Sequence, residues 1–156
     1  MTGPAGRRML DVDSTAPDFE GEDQRGARFR LSDLRGRWVV LYFYPKDETV
    51  GCTREACAFR DEFEGIQALG ADVVGVSVQD RESHRQFAEH RRLTFRLIAD
   101  REKRVTRQYD ALGLLGLAKR VTYLIDPQGV IRDAYRSEVA PTSHVARVKD
   151  FLARAR

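Results

Sequence analysis

The sequence lacks any long hydrophobic run. Its longest apolar stretch, residues 38–44, is much shorter than the roughly 20 apolar residues that a helix needs to cross a bilayer. The first 14 residues also lack an apolar segment of the length that a secretory signal requires. We therefore expect no membrane partner and a cytoplasmic location.

Cysteine is scarce, since the chain contains only Cys52 and Cys57. In a reducing compartment a disulfide is rarely used for stability. We therefore expect any bond between these two cysteines to be transient and to serve chemistry.

A large excess of one charge is also missing. The chain has 27 basic and 24 acidic residues, for a formal net charge of +3, and the two signs are mixed along its length. Nucleic-acid-binding proteins instead concentrate basic side chains on one face or in one segment. This pattern is typical of a solvated surface, and no nucleic-acid partner is expected.

The sequence does have enough apolar material for one core. A chain of 156 residues with 42% hydrophobic side chains fits a single domain. Residues 1–14 are rich in Gly, Pro and Arg, and we expect them to form a flexible leader. Residues 15–156 are expected to form the folded domain.

Hydrophobic periodicity predicts strands that alternate with helices. The predicted strands are residues 38–44, 72–78, 95–98, 121–125 and, after a turn at 126–129, 130–135. The predicted helices are residues 52–69, closed by Gly70, residues 81–92 after an Asp80 cap, a helix from an Asp100 cap to residue 109, and a last helix capped by Thr142 or Ser143. This order indicates an α/β domain with a central mixed β-sheet flanked by helices, and it matches a thioredoxin-like fold.

The segment 45–57 concentrates the residues that can do chemistry. It begins at Pro45, where the predicted strand ends, and runs into the predicted helix. Cys52 therefore lies at the helix start, where free backbone N–H groups and the helix dipole favour a thiolate. The Thr49 hydroxyl can point to the sulfur or to a substrate, and Pro45 can screen the thiolate from water. Cysteine is also a common buried hydrophobic residue, but the junction with Pro45 and Thr49 favours a functional interpretation.

These residues resemble the active site of the peroxiredoxins, with Pro45, Thr49 and Cys52 in a P-x-x-x-T-x-x-C arrangement. The wider match is to the Q-type subfamily, also called bacterioferritin comigratory protein. Its segments are residues 16–19 (APDF), 31–36 (LSDLRG), 42–47 (YFYPKD), 51–53 (GCT), 55–57 (EAC) and 59–61 (FRD). One departure is Val50, where the subfamily commonly has proline before the Gly-Cys pair.

The resemblance implies a thiol peroxidase that needs no metal and no organic cofactor. Cys52 would be the peroxidatic nucleophile, Thr49 would bind the hydroperoxide, and Pro45 would shield the site. Arg120 matches the family's active-site arginine and would stabilise the thiolate and the departing oxygen. Cys57 would resolve the oxidised Cys52 as an intramolecular disulfide, which a thioredoxin-type dithiol would reduce. No cysteine follows Cys57, so the resemblance also implies a monomer.

The cysteine spacing itself requires a conformational change. On an ideal helix, residues five apart have Cα atoms about 8–9 Å apart and lie about 140° apart around the axis. A disulfide tolerates a Cα separation of at most about 7 Å. The helix must therefore unwind locally before Cys52 and Cys57 can bond.

Other polar positions are less informative. Glu55 is compatible with a catalytic role and equally with a carboxylate that the helix dipole favours. His84 and His90 are six residues apart on one predicted helix, so they do not indicate a metal site. Residues 113–116 (GLLG) lack the lysine of a phosphate loop and are interpreted as a turn.

Three alternative functions stay open on the sequence. A thioredoxin-like dithiol oxidoreductase would normally use Cys-x-x-Cys, whereas four residues separate these cysteines. A redox sensor or redox-regulated chaperone would report oxidation without turning over peroxide. A basic binding module would show salt-dependent binding to nucleic acid.

Overall fold

The computed structural model describes residues 9–155. The elements in this range are, in chain order, β1 (Glu20–Glu22), β2 (Arg28–Arg30), a 3-10 helix (Leu31–Leu34), β3 (Trp38–Phe43), α1 (Val50–Ala68), β4 (Ala71–Ser77), α2 (Arg81–Arg91), β5 (Arg96–Ala99), α3 (Arg104–Gln108), β6 (Val121–Ile125), β7 (Ile131–Arg136) and α4 (Ser143–Arg154). The predicted α/β thioredoxin-like fold is confirmed.

Five strands form a mixed sheet in the order β5-β4-β3-β6-β7. Strand β3 runs parallel to β4 and antiparallel to β6. Because Phe43 at the end of β3 pairs with Val121 at the start of β6, the residues after β3 and the residue before β6 reach the same edge of the sheet. This register brings residues 44–49 and Arg120 together.

The central strand β3 is buried on both faces, as its unbroken apolar sequence predicts. Val39, Leu41 and Phe43 belong to one core cluster, which also contains Val105 and the hairpin residue Phe29. Val40 and Tyr42 belong to a second cluster, formed with side chains from α1, α2 and α4. Helices α1, α2 and α4 therefore cover one face of the sheet, and α3 with the β1–β2 hairpin covers the other.

Two helix starts differ from the prediction. Helix α1 begins at Val50, two residues earlier than predicted, because Thr49 already has the extended backbone of an N-cap and its carbonyl accepts from Thr53 N–H at 2.8 Å. Helix α3 begins at Arg104 rather than directly after Asp100. Residues 101–103 separate Asp100 from the start of the helix, but the Asp100 carboxylate still accepts from the N–H groups of Val105 and Thr106. Of the helices within residues 9–155, none has the length and hydropathy needed to cross a membrane.

The predicted leader, residues 1–14, lies partly outside the described residues. Its described part is in contact with the domain. Met9 and Leu10 pack against the first core cluster, and the Leu10 N–H donates to the Tyr123 hydroxyl at 2.9 Å. Asp13 N–H donates to the Ile131 carbonyl, and Ile131 N–H donates to Ser14. The described residues 9–14, which lie before the predicted boundary at residue 15, therefore contact the domain.

Candidate active site

Cys52 is the third residue of α1 and is 1% exposed. It lies in the helix turn whose N–H groups have no partner within the helix. Two preceding residues suit this turn. Thr49 is the N-cap, and Val50 occupies the first helical position, where proline is commonly accepted because its missing N–H would have no partner there. Val50 therefore replaces the usual proline without disturbing the start of the helix.

Arg120 contacts the Cys52 sulfur. Its Nη2 donates to Cys52 Sγ at 3.3 Å and its Nη1 donates to Glu55 Oε1 at 2.6 Å. The guanidinium is buried, which opposes its charge, but the electrostatic attraction of Glu55 and Cys52, together with the hydrogen bonds to them, holds the pKa of Arg120 above its ordinary value. Main-chain contacts fix the residue, because Arg120 N–H donates to Glu138 Oε1 at 3.0 Å and its carbonyl accepts from Ser137. The arginine predicted from the resemblance thus contacts the predicted nucleophile.

Gly51 leaves the room that this contact needs. A Cβ at position 51 would lie 3.1 Å from Arg120 Nη2 and 3.4 Å from Pro141 Cγ. The first distance is shorter than ordinary van der Waals contact. A side chain at this position would therefore require the guanidinium to shift by a few tenths of an ångström.

Glu55 lies one helical turn after Cys52 and is fully buried. Burial raises the pKa of its carboxyl to about 8, although the neighbouring Arg120 opposes that shift. Oε1 accepts from Arg120, whereas Oε2 has no hydrogen-bond partner among the described residues and lies 3.7 Å from His144 Nδ1. The sequence left the role of Glu55 open, and the structure makes it part of the site.

His144 was not predicted as a site residue. It is the second residue of α4 and is fully buried, and burial lowers its pKa from 6.5 to about 4. Its Nε2 lies 3.0 Å from the Ser137 carbonyl and its Nδ1 lies 2.8 Å from Thr122 Oγ1. Because a carbonyl can only accept, Nε2 carries the proton and Nδ1 accepts from the threonine hydroxyl. The available signal was its position four residues before Val148, on the apolar face of the predicted helix.

Thr49 and Pro45 lie in the loop between β3 and α1. Thr49 is exposed, and its hydroxyl donates to the Lys46 carbonyl at 3.0 Å. It does not cap α1 with its side chain. Pro45 is half-buried and follows Tyr44, whose N–H still bonds to the Val76 carbonyl beyond the end of β3. Both predicted residues therefore belong to the loop that precedes Cys52.

The same loop is attached to α2 by Asp47, a residue that the sequence reasoning missed. The buried Asp47 carboxylate accepts from the Tyr44 hydroxyl at 2.6 Å and from Ser83 Oγ at 2.7 Å, and it lies 2.7 Å from His84 Nδ1. His84 is fully buried, and its Nε2 donates to the Ile98 carbonyl at 3.1 Å. The histidine of the predicted helix therefore serves as an anchor for the loop.

A second, exposed attachment lies beside the first. Glu48 has φ = 63°, a left-handed conformation that costs energy in a residue with a Cβ. Its carboxylate is 2.7 Å from His90 Nδ1 and 3.1 Å from Arg91 Nε, and the pKa of Glu48 is lowered by these hydrogen bonds against its partial burial. His84 and His90 thus bind different carboxylates of one loop.

Cys57 lies on α1, five residues after Cys52, and is half-buried. Both cysteines are free thiols, and an intact helix separates them. Cys52 and Cys57 are therefore five residues apart on one helix, as the prediction of local unwinding assumes.

The chain matches a protein-family model, curated relatives and solved structures. The family model AhpC/TSA matches residues 12–134, a range that contains Cys52, Cys57 and Arg120. Chloroplastic peroxiredoxin Q from Oryza sativa subsp. japonica is 40% identical over 141 residues, which cover 89% of this chain and 65% of the relative. The chain therefore spans less than two thirds of the length of that relative.

Solved structures agree with the family model. Peroxidoxin BcpB from Mycobacterium tuberculosis has a TM-score of 0.88 at 37% identity, covering 94% of this chain and 99% of that one. Bacterioferritin comigratory protein from Xanthomonas campestris has a TM-score of 0.85 at 27% identity, covering 94% of this chain and 100% of that one. With a cysteine and an arginine in contact at the start of α1, these matches show that the chain belongs to the AhpC/TSA family, among its Q-type peroxiredoxins.

Proposed function

We propose that this chain is a thiol-dependent peroxidase in which Cys52 attacks a hydroperoxide. The observation that carries the proposal is the buried Cys52 sulfur at the start of a 19-residue helix, with Arg120 Nη2 3.3 Å away. A fixed guanidinium and free helix N–H groups both stabilise negative charge. The same donors can stabilise the charge that develops on the departing oxygen.

Thr49 and Pro45 complete the proposed substrate site. The Thr49 hydroxyl uses its proton on the Lys46 carbonyl, and its oxygen keeps lone pairs that can accept from the O–H of a hydroperoxide. Pro45 adds no donor that would compete for the thiolate. The attacked oxygen becomes the sulfenic acid of Cys52, and the other oxygen leaves as water or an alcohol.

Cys57 is proposed to resolve the sulfenic acid within the same chain. It is the only other cysteine of the sequence, and its half-buried side chain is five residues away on the same helix. The resulting disulfide is proposed to be reduced by a thioredoxin-type dithiol. Hydrogen peroxide and organic hydroperoxides are the proposed substrates, and the related protein from Xanthomonas campestris is described by its alkyl peroxide reduction activity.

The two cysteine roles are tested by intact-protein mass spectrometry after one and ten equivalents of peroxide. The reduced wild type should lose about 2 Da, as expected for a disulfide. Cys57→Ser should gain about 16 Da and then about 32 or 48 Da, since its sulfenic acid has no resolving partner. Cys52→Ser should consume no peroxide, because a serine hydroxyl is too weak a nucleophile at neutral pH.

The alternatives give different results in a steady-state assay with thioredoxin, thioredoxin reductase and peroxide. A dithiol oxidoreductase would reduce protein disulfides and consume no peroxide. A redox sensor would be oxidised once and would not turn over. Normal turnover of Cys57→Ser with thioredoxin would contradict the resolving role of Cys57.

We further propose that the protein acts as a monomer in the cytoplasm. Resolution within one chain requires no second copy, and two cysteines that pair only transiently suit a reducing compartment. Sedimentation of both redox forms tests the monomer, and fractionation of the source cells tests the location. A stable dimer or an organellar location, such as that in the name of the rice relative, would overturn the corresponding part.

A further inference from the structure

Two acids share one cation beneath the surface of the site. Cys52, Glu55 and Arg120 are all buried, and the guanidinium binds the sulfur with one nitrogen and the carboxyl with another. Arginine keeps its charge at any working pH. One positive charge neutralises one anion, so a thiolate and a carboxylate together would leave an uncompensated negative charge in a buried site.

The second oxygen of Glu55 gives independent evidence for its protonation state. Within residues 9–155, Oε2 has no hydrogen-bond partner, and it faces His144 Nδ1 at 3.7 Å. Nδ1 carries no proton, because Nε2 donates to the Ser137 carbonyl and Thr122 Oγ1 donates to Nδ1. An ionised Oε2 would therefore face a nitrogen that has no hydrogen to donate, so His144 does not stabilise a negative charge on this oxygen, whereas a protonated Oε2 carries no such charge.

The remaining groups around Glu55 also disfavour a second anion. Glu138 approaches from the segment between β7 and α4 and, as a negative charge, contributes to raising the pKa of Glu55. Tyr42 approaches from β3, and burial holds the pKa of its phenol well above the usual value, so it carries no charge. Burial is the largest cause that raises the pKa of Glu55 to about 8.

We propose that Glu55 is a redox-linked proton carrier: its carboxyl holds a proton while Cys52 is a thiolate, and it releases that proton when Cys52 is oxidised. This inference rests on the proposed function. A sulfur in a disulfide has no charge, so Arg120 is then available to Glu55 alone. Glu55 also lies between Cys52 and Cys57, so the local unwinding needed for the disulfide brings its carboxyl towards water. Both effects favour ionisation in the oxidised protein.

The proposed oxidation is balanced in atoms and charge. The Cys52 thiolate, the Cys57 thiol, the Glu55 carboxylic acid and a hydroperoxide ROOH give the disulfide, the Glu55 carboxylate, ROH and water. The two sulfurs lose two electrons, the O–O bond accepts them, and the Glu55 proton completes the water molecule. The wild type therefore exchanges no proton with the solution, whereas a chain without the Glu55 proton must take up one proton per disulfide.

The test is proton uptake during a single oxidation by one equivalent of hydrogen peroxide, in weakly buffered solution near neutral pH with an indicator dye. The wild type should take up no proton, and Glu55→Gln should take up one proton per disulfide. Glu62→Gln is the matched control, because Glu62 is a carboxylate on the same helix that is paired with Lys149 at the surface. It should behave as the wild type does.

A second measurement uses the wild type alone, in case Glu55→Gln does not fold. The reduced-minus-oxidised infrared difference spectrum should show the carbonyl stretch of a protonated carboxylic acid in the reduced form. Uptake of one proton by the wild type, or the absence of this band, would overturn the inference. Failure of the proposed function is distinguishable, since thiol titration and mass would then show that no disulfide had formed.

Discussion

The guanidinium of Arg120 divides its hydrogen bonds between Cys52 and Glu55, which lie three residues apart on one helix. This division uses the planar fork of arginine, whose nitrogens can reach two acceptors at once. Lysine has a single point charge on a flexible stem. Arg120→Lys is therefore not a conservative change at this position, although it preserves the charge.

A second residue of the site, His144, should make stability depend on pH. Its folded pKa is about 4, because burial disfavours the imidazolium, while an unfolded chain has the usual value of 6.5. The stability that comes from its neutral form is therefore complete above pH 6.5 and is lost as the pH falls towards 4. This contribution amounts to at most about 3 kcal/mol. Urea unfolding near neutral pH and near pH 4 should show a smaller acid loss in His144→Gln than in the wild type, and equal losses would contradict the assignment.

The residues differ in how far the sequence alone could reveal them. Cys52 and Thr49 follow from a local motif at a strand–helix junction, where a few neighbouring residues define the chemistry. Arg120 is one of many arginines, and only the family resemblance distinguished it. The apolar face of the predicted α4 indicates that His144 is buried, but its approach to Glu55 of α1 is a tertiary contact that no local pattern contains.

At the scale of elements, the proposed disulfide requires local unwinding of α1, which is an intact helix while both cysteines are free. In the reduced protein the amides of residues 53–60 lie within α1 and should be protected from hydrogen exchange. Oxidation should expose several of them, because Cys57 can reach Cys52 only if the helical turn that contains it loses backbone hydrogen bonds. Hydrogen exchange on the two redox forms measures this difference, with the amides of α2 as an internal reference. Identical protection of residues 53–60 in both forms would show that no disulfide forms by this route.

The loop between β3 and α1 is attached to α2 through Asp47 and through Glu48. These two attachments should contribute unequally to stability. Asp47→Ala removes the buried carboxylate that accepts from the Tyr44 hydroxyl and lies 2.7 Å from His84 Nδ1, so we expect a loss of about 2–4 kcal/mol in unfolding free energy and slower peroxide reduction. Glu48→Ala removes only the exposed ion pairs with His90 and Arg91, and such pairs are typically worth below about 1 kcal/mol each. Denaturant unfolding and kcat/KM of both variants test this contrast. Similar effects of the two changes would contradict the role of the buried anchor.

The elements that were predicted correctly are long enough to show a regular apolar pattern in the sequence. The buried strand β3 and the amphipathic α4 are examples. The strands β1 and β2 have three residues each, too few for a periodicity, and pairing with each other defines them. The start of α3 was misplaced because Asp100 reaches its N–H groups from outside the helix.

At the scale of the whole molecule, the described residues before β1 contact the core and the hairpin strand β7. A chain that begins at residue 15 should be less stable than one that begins at residue 9, because it loses the packing of Met9 and Leu10 and the bonds to Ile131. We expect a loss of about 2 kcal/mol, which corresponds to a melting temperature lower by roughly 4–8 °C. Thermal unfolding of the two chains provides the measurement. Equal melting temperatures would place the boundary of the domain at residue 15, as the sequence predicted.

The distance along the chain between Cys52 and Arg120, 68 residues, matters during synthesis. A ribosome exposes Cys52 long before Arg120, the arginine that is proposed to activate it, and the contact between them also needs β6 to pair with β3. A nascent or misfolded chain therefore carries an ordinary, slow thiol. Overoxidation follows thiolate character. We therefore expect Cys52 of a newly made chain to resist overoxidation by peroxide until Arg120 contacts its sulfur.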